Sequence, residues 1–355
     1  MFLKNNLYAY LGANVIQNIN DTVYFDEDYL SGIGFQNNWV NLQIRKGREN
    51  WGAGNGIQLA LSDNSNAYNY FMLASDYGAV RVNFIYGFLE TTNSGINRYI
   101  NARGLEWSNK KNLILSFSET TIYSGFKRPF DLGYLNPIGS HLEVELNNRL
   151  NIVGDRNSNA VWQLHLDYKI KDRSRLSFNY LFDEFVIDPD VQIGKEHGKA
   201  YSLKFSHSII KSKQSILNIF ISKIFVGTPT FRHGLGSNNF VFNYRPLGWK
   251  LGSDGDQTNL GLTFLKINKM ILSIEFGEVR LGEESIIYRS YEPYADYMKD
   301  LFPSGNFLNN KYLETKLMWK IHHSFFININ TGLTSNSIVR EKMSNGIVFL
   351  YSRKI

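Results

Sequence analysis

The side chains best able to do chemistry fall into four clusters. The first is Gly47-Arg48-Glu49-Asn50-Trp51-Gly52-Ala53-Gly54-Asn55-Gly56, where four glycines in ten residues surround one Trp. It runs through Ile57–Leu61 into Ser62-Asp63-Asn64. Glycine at that density marks positive φ or close backbone approach, so the stretch reads as a structured turn. Such a turn either carries an interfacial Trp or forms a constriction or ligand platform. The second cluster, Asp183-Glu184-Phe185-Val186-Ile187-Asp188-Pro189-Asp190, places four acids in eight residues. The third, Phe231-Arg232-His233-Gly234-Leu235-Gly236, sets a cation and an imidazole in glycine-rich backbone. The fourth, Gly252-Ser253-Asp254-Gly255-Asp256, has half the oxygen ligands of a calcium loop and reads as a solvated turn. Each is an exposed loop on the plainest reading. The functional alternative is sugar binding, in which aromatic faces stack on pyranose rings and Asp, Asn and Arg hydrogen-bond the hydroxyls.

Signs of catalysis are weak. Glu49, Asp63, Asp76 and Glu90 share no spacing that defines a carboxylate pair. His322 and His323 are adjacent in a strand-like run, so their rings point to opposite faces. The chain carries no His-Glu-x-x-His, P-loop or nucleophile elbow. It has no cysteine, which removes disulfides and Cys-based zinc sites. No enzyme activity, cofactor or metal is expected.

The elements that must position these clusters are strands. Trp162, Leu164, Leu166, Tyr168 and Ile170 alternate with Gln163, His165, Asp167, Lys169 and Lys171. Leu176–Phe182 and Tyr201–Phe205 repeat the pattern. So do 80–88, 260–264, 272–276, 313–321 and 325–329. Period-two alternation specifies antiparallel strands with one apolar and one polar face. A soluble sandwich would alternate in the same way. Three features favour a membrane barrel: long strands, aromatic residues near strand ends, and a mixed-charge polar face suited to a wet lumen. The seven prolines all fall between the alternating runs. The expected fold is all-β, a transmembrane antiparallel β-barrel of roughly 14–18 strands. In Pro293–Phe302, apolar residues at i, i+3, i+4 and i+7 predict a short helix in a long loop.

Composition agrees with this class. The 355 residues are 43% hydrophobic and 15% aromatic, with no break that would divide residues 1–355 into domains. The net charge of +6 is spread too thinly for a nucleic-acid tail. No apolar run is long enough for a transmembrane helix. The N-terminus enters directly into strand-like sequence without a signal peptide, so an exported barrel would require this chain to be truncated or its start misassigned.

Gly47-Arg48, Trp51-Gly52-Ala53-Gly54 and Leu61-Ser62-Asp63-Asn64 together resemble the "GR…WGPG…LLSDNA" signature of the capsule assembly Wzi family. Ala53 stands where that pattern has Pro, and set against the family the chain is expected to lack an N-terminal portion of the barrel. Similar pieces follow in order: Tyr134-Leu135-Asn136-Pro137-Ile138, Gly154-Asp155-Arg156-Asn157, Phe182-Asp183-Glu184-Phe185, and Arg245-Pro246-Leu247-Gly248 with Gly252–Asp256. The C-terminal third matches only in its strand pattern, and its last residues lack the terminal aromatic common in outer-membrane proteins. The resemblance implies a monomeric outer-membrane barrel that anchors capsular or other surface polysaccharide without turnover. It would be surrounded by outer-membrane lipid and would have no nucleic-acid partner. The ligand-binding candidates are Arg48, Trp51, Asp63, Asn64, Tyr134, Asn136, Asp183, Glu184, Arg232, His233, Asp254 and Asp256. A passive channel for small solutes is the alternative, and an outer-membrane hydrolase is a third.

Overall fold

The computed structural model describes residues 2–4, 6–12, 15–17, 23–25, 29–146, 158–183, 193–294, 300–322, 325–336 and 342–351. Its first strands are β1 (Phe2–Lys4), β2 (Leu7–Gly12), β3 (Val15–Gln17), β4 (Val23–Phe25), β5 (Leu30–Gln36) and β6 (Val40–Gly47). The central set is β7 (Tyr68–Asp76), β8 (Val80–Thr91), β9 (Ile96–Ser108), β10 (Leu113–Phe126), β11 (Ser158–Ile170), β12 (Ser174–Phe182), β13 (Lys199–Lys211) and β14 (Ser215–Val226). After two short strands, β15 (Val241–Phe242) and β16 (Arg245–Pro246), come β17 (Gly255–Lys266), β18 (Met270–Leu281), β19 (Leu308–His322), β20 (Phe325–Asn336) and β21 (Lys342–Tyr351). β3 pairs with β4, and β15 with β16, as separate hairpins.

Among the described residues the other seventeen strands form one sheet in which each pairs antiparallel with the next. That number lies within the range the alternation predicts. Register makes the two faces explicit. Phe117 lies opposite Leu164, and both are 47% exposed; one step along, Ser118 opposite Gln163 is 6% and 2% exposed. Ile44, Leu105, Ile221, Leu260 and Phe276 share the exposed apolar face, which suits hydrocarbon. Trp39, Tyr77, Trp107 and Trp319 are exposed near one end, as an interfacial aromatic belt would be.

Turns at that end are short, for example 109–112, 171–173, 212–214 and 267–269. Connections at the other end are mostly long, at 48–67, 127–157, 183–198, 227–254 and 282–307. Three of these fold inward. Ile57, Leu59 and Leu61 from 48–67 meet Phe231, Phe240, Phe242, Leu247 and Trp249 from 227–254 and Ile286 from 282–307. Concave-side residues of successive strands complete the cluster, among them Ile85, Ile100, Ile122, Val161, Leu181 and Ile224. Convergence of so many strands on one cluster requires the sheet to curl into a barrel. The expectation of a polar, water-lined lumen is therefore corrected for the long-loop half, where the inner wall is apolar and packed.

The helix expected over 293–302 centres on 295–299, which lie outside the described residues. A helix appears instead at His141–Leu146 (α1), in the connection after β10. Ser140 Oγ accepts the Glu143 amide at 3.1 Å, so Ser-His-Leu-Glu supplies a capping box that apolar periodicity does not register.

Candidate functional site

The glycine-rich turn lies inside the barrel, fastened to its wall. Gly52, Gly54 and Gly56 all take positive φ, which lets 52–56 fold tightly. Arg48 Nε donates to the Ser65 carbonyl at 2.7 Å and ties the loop's two ends together. Trp51 Nε1 donates to Glu49 Oε2 at 2.7 Å, while Glu49 also pairs with Arg45 and accepts the Tyr70 hydroxyl. The wall grips the loop through Asn179. Its Oδ1 accepts the Ala53 amide at 2.7 Å and its Nδ2 donates to the Ala53 carbonyl at 3.0 Å. Ser202 Oγ donates to the Ile57 carbonyl at 2.6 Å. Asp63 and Asn64 sit exposed at the following turn, with the Asn64 amide on Ser62 Oγ at 3.2 Å.

The second and third inward loops are bound to each other by candidate residues. Asp254 is fully buried and accepts Thr228 Oγ1 at 2.8 Å, the Ser304 amide at 3.0 Å, the Glu284 amide at 3.1 Å and Ser304 Oγ at 2.5 Å. The reading of Gly252–Asp256 as a solvated turn is thereby corrected: the carboxylate's lone pairs are taken by protein donors. Arg232, 1% exposed, pairs with Glu284 at 3.3 Å and lies 4.7 Å from the Tyr294 ring. Burial lowers its pKa, and the Glu284 charge opposes that. His233 receives the Leu235 amide on Nδ1 at 2.9 Å, and burial pulls its pKa down. Buried Asp183 accepts the Phe231 amide. Glu184 lies outside the described residues.

Three candidates belong to the outer wall. Tyr134 is buried and stacks on Tyr123, with ring centroids 4.4 Å apart, at a place where the strand pattern alone would predict lipid. The segment 127–146 covers this patch. Beneath it Arg103 pairs with Glu119 at 3.3 Å, and Glu119 accepts Trp162 Nε1 at 2.8 Å and the His141 amide at 2.9 Å. His141, buried and near the Arg103 charge, has its pKa pulled down to about 4. Asn136 is exposed and turns the chain by accepting the Ile138 amide. Asp256 faces outward beside the apolar belt, paired with Lys223 at 2.7 Å and Arg280 at 2.6 Å.

The structure thus gathers Arg48 and Trp51 in one inner loop, and joins Arg232, His233, Asp183 and Asp254 where the other loops meet. Tyr134, Asn136 and Asp256 are not brought to either place. Sequence reasoning missed Asn179, His165 and Lys204, whose only signal was their position on the polar face of strands.

Below the glycine loop, toward the short turns, the lumen opens into a cavity of about 1150 Å³. Trp51–Asn55 forms its inner end, and the turns at 110–112 and 172–174 form its rim. Lys204 Nζ reaches the Asn55 carbonyl at 2.7 Å. Ser118 Oγ lies 3.0 Å from His165 Nε2, and His165 Nδ1 lies 2.8 Å from Asn179 Oδ1. That is a nucleophile–base arrangement in outline, but the third member is a carboxamide already committed to Ala53. Among the described residues no group of His and acids could hold a metal ion.

Fold and site together define an outer-membrane β-barrel with three of its long loops folded into the lumen. No family model matches the sequence, and no curated protein does. Among solved structures the chain is similar to Wzi of Escherichia coli, an outer-membrane carbohydrate-binding β-barrel involved in group 1 capsule assembly. The TM-score is 0.63 at 12% identity, over 96% of this chain and 82% of that one. It is also similar to OccK10 (OpdN) of Pseudomonas aeruginosa, with a TM-score of 0.52 at 8% identity, over 100% of this chain and 90% of that one. OpdL of the same organism gives 0.50 at 10% identity, over 99% and 90%. At such identities the likeness is one of fold.

Proposed function

We propose that this chain resides in the outer membrane and binds surface polysaccharide as a non-enzymatic anchor. The observation that supports this reading over a solute channel is the apolar cluster that the three inward loops form with the inner wall. A diffusive pore needs a continuous polar path, and a core of Ile, Leu, Phe and Trp side chains in the lumen excludes water there. Likeness to a carbohydrate-binding barrel supplies the ligand class. Trp51 is the candidate best placed to stack on a sugar ring, since it borders the cavity. Arg232, Asp183 and Asp254 serve this function by holding the loops in place. The test is a pull-down of the producing cell's own surface polysaccharide by the refolded full chain. Retention of that polysaccharide is expected; failure to retain it, with the barrel folded, would overturn the anchor reading.

A further inference from the structure

The cavity at the short-turn end has a charge pattern of its own. Among the described residues six cations line it, Lys110, Lys111, Lys169, Arg173, Arg175 and Lys204, against three carboxylates, Glu106, Asp167 and Asp172. Each carboxylate is taken. Asp167 pairs with Arg175 at 2.5 Å, Asp172 with Lys169 at 2.9 Å, and Glu106 with Arg81 at 3.3 Å. Lys110, Lys111 and Arg173, all on the rim, have no carboxylate within ion-pair distance among the described residues. Low-dielectric walls around one sign of charge focus the field and concentrate counter-ions. The inner end offers an aromatic side chain at Trp51, and the inner wall adds hydroxyls at Ser177 and Ser206. In barrels of this kind the short turns face the periplasm.

We propose that this cavity is a vestibule for an anionic glycan segment that enters from the periplasmic side. The acidic groups meet Lys110, Lys111 and Arg173, and a sugar ring stops against the Trp51–Asn55 loop. The proposal rests on the polysaccharide-binding reading and adds to it the charge of the ligand and the side from which it arrives. The cavity is of oligosaccharide size, and a neutral glycan would leave the rim cations unanswered.

The test uses the folded full chain in detergent micelles, with oligogalacturonate as the acidic probe and a maltooligosaccharide of equal length as the neutral one. Calorimetry is expected to show binding of the acidic probe that weakens as salt rises. A K110E/K111E/R173E variant should lose roughly tenfold or more in affinity through charge reversal at the rim. Because the chain has no cysteine, single thiols can locate the site. A bulky maleimide on S206C, in the cavity wall, should abolish binding, and the same label on N93C, at the opposite end, should leave it intact. Equal binding of both probes, or indifference to the rim reversal and to the S206C label, would overturn the vestibule while leaving the anchor reading standing. Binding of neither probe, while native polysaccharide is retained in the pull-down, would also overturn it.

Discussion

Asn179 and Ala53 hold each other by two hydrogen bonds, the Ala53 amide to Oδ1 at 2.7 Å and Nδ2 to the Ala53 carbonyl at 3.0 Å, across 126 positions of sequence. A strand side chain thereby imitates a β-bridge and fixes the glycine loop inside the barrel. Asn179→Leu removes both bonds and leaves a buried amide and carbonyl without partners, at about 1–3 kcal/mol each. The expected outcome is a loop released from the wall while the barrel persists. Limited proteolysis within 48–67 should become fast, with heat-modifiable migration on gels unchanged. Unchanged protease resistance would contradict the clamp.

The second pin is Asp254. Four donors satisfy its carboxylate, so a bound calcium ion would have nothing to add. Chelator treatment should leave thermal stability unchanged. Asp254→Ala should loosen 227–254 and 282–307 together, since Thr228, Glu284 and Ser304 lose one shared acceptor. Hydrogen exchange that rises in only one of the two loops would contradict this.

Acid should loosen the outer flap. Burial and the Arg103 charge hold His141 neutral, with a pKa of about 4 against the usual 6.5. The unfolded flap therefore binds the extra proton between those values. The contribution is complete above pH 6.5 and falls as the pH drops toward 4, by at most about 3 kcal/mol. Proteolytic release of 127–146 should accelerate over that window, and His141→Gln should flatten the pH dependence.

Gly248 gives a steric test. A Cβ there would overlap the Leu59 carbonyl, because the two inward loops cross backbone to backbone at this point. Gly248→Ala should cost about 1–3 kcal/mol of loop packing. The Trp249 amide bond to Leu59, 3.0 Å in the native chain, should then show faster exchange. Exchange at Trp249 equal to wild type would show that the crossing tolerates a methyl.

The wall was legible because its period of two is unambiguous. Leu164, Leu166 and Tyr168 point outward as the alternation requires, and the glycines at 52, 54 and 56 do form a positive-φ turn. The lumen was not legible. Ile85, Ile122, Val161, Leu181 and Ile224 interrupt the polar face near the long-loop ends, and that interruption was the available sign of a packed interior. The partners of Asp254 lie 26 to 50 positions away, beyond any local pattern. Tyr134 was assigned from a loop motif, whereas its burial depends on an outer-wall patch assembled from β8, β9 and β10.

Single-channel recording of the full chain in planar bilayers tests most directly whether the inward loops close the barrel. Insertion without porin-like conductance steps is expected of the native chain, and intermittent openings once Asn179→Leu frees the glycine loop. Steady ohmic conductance through the native protein would contradict closure, because solutes would then have a water path through the place where the apolar core is seated.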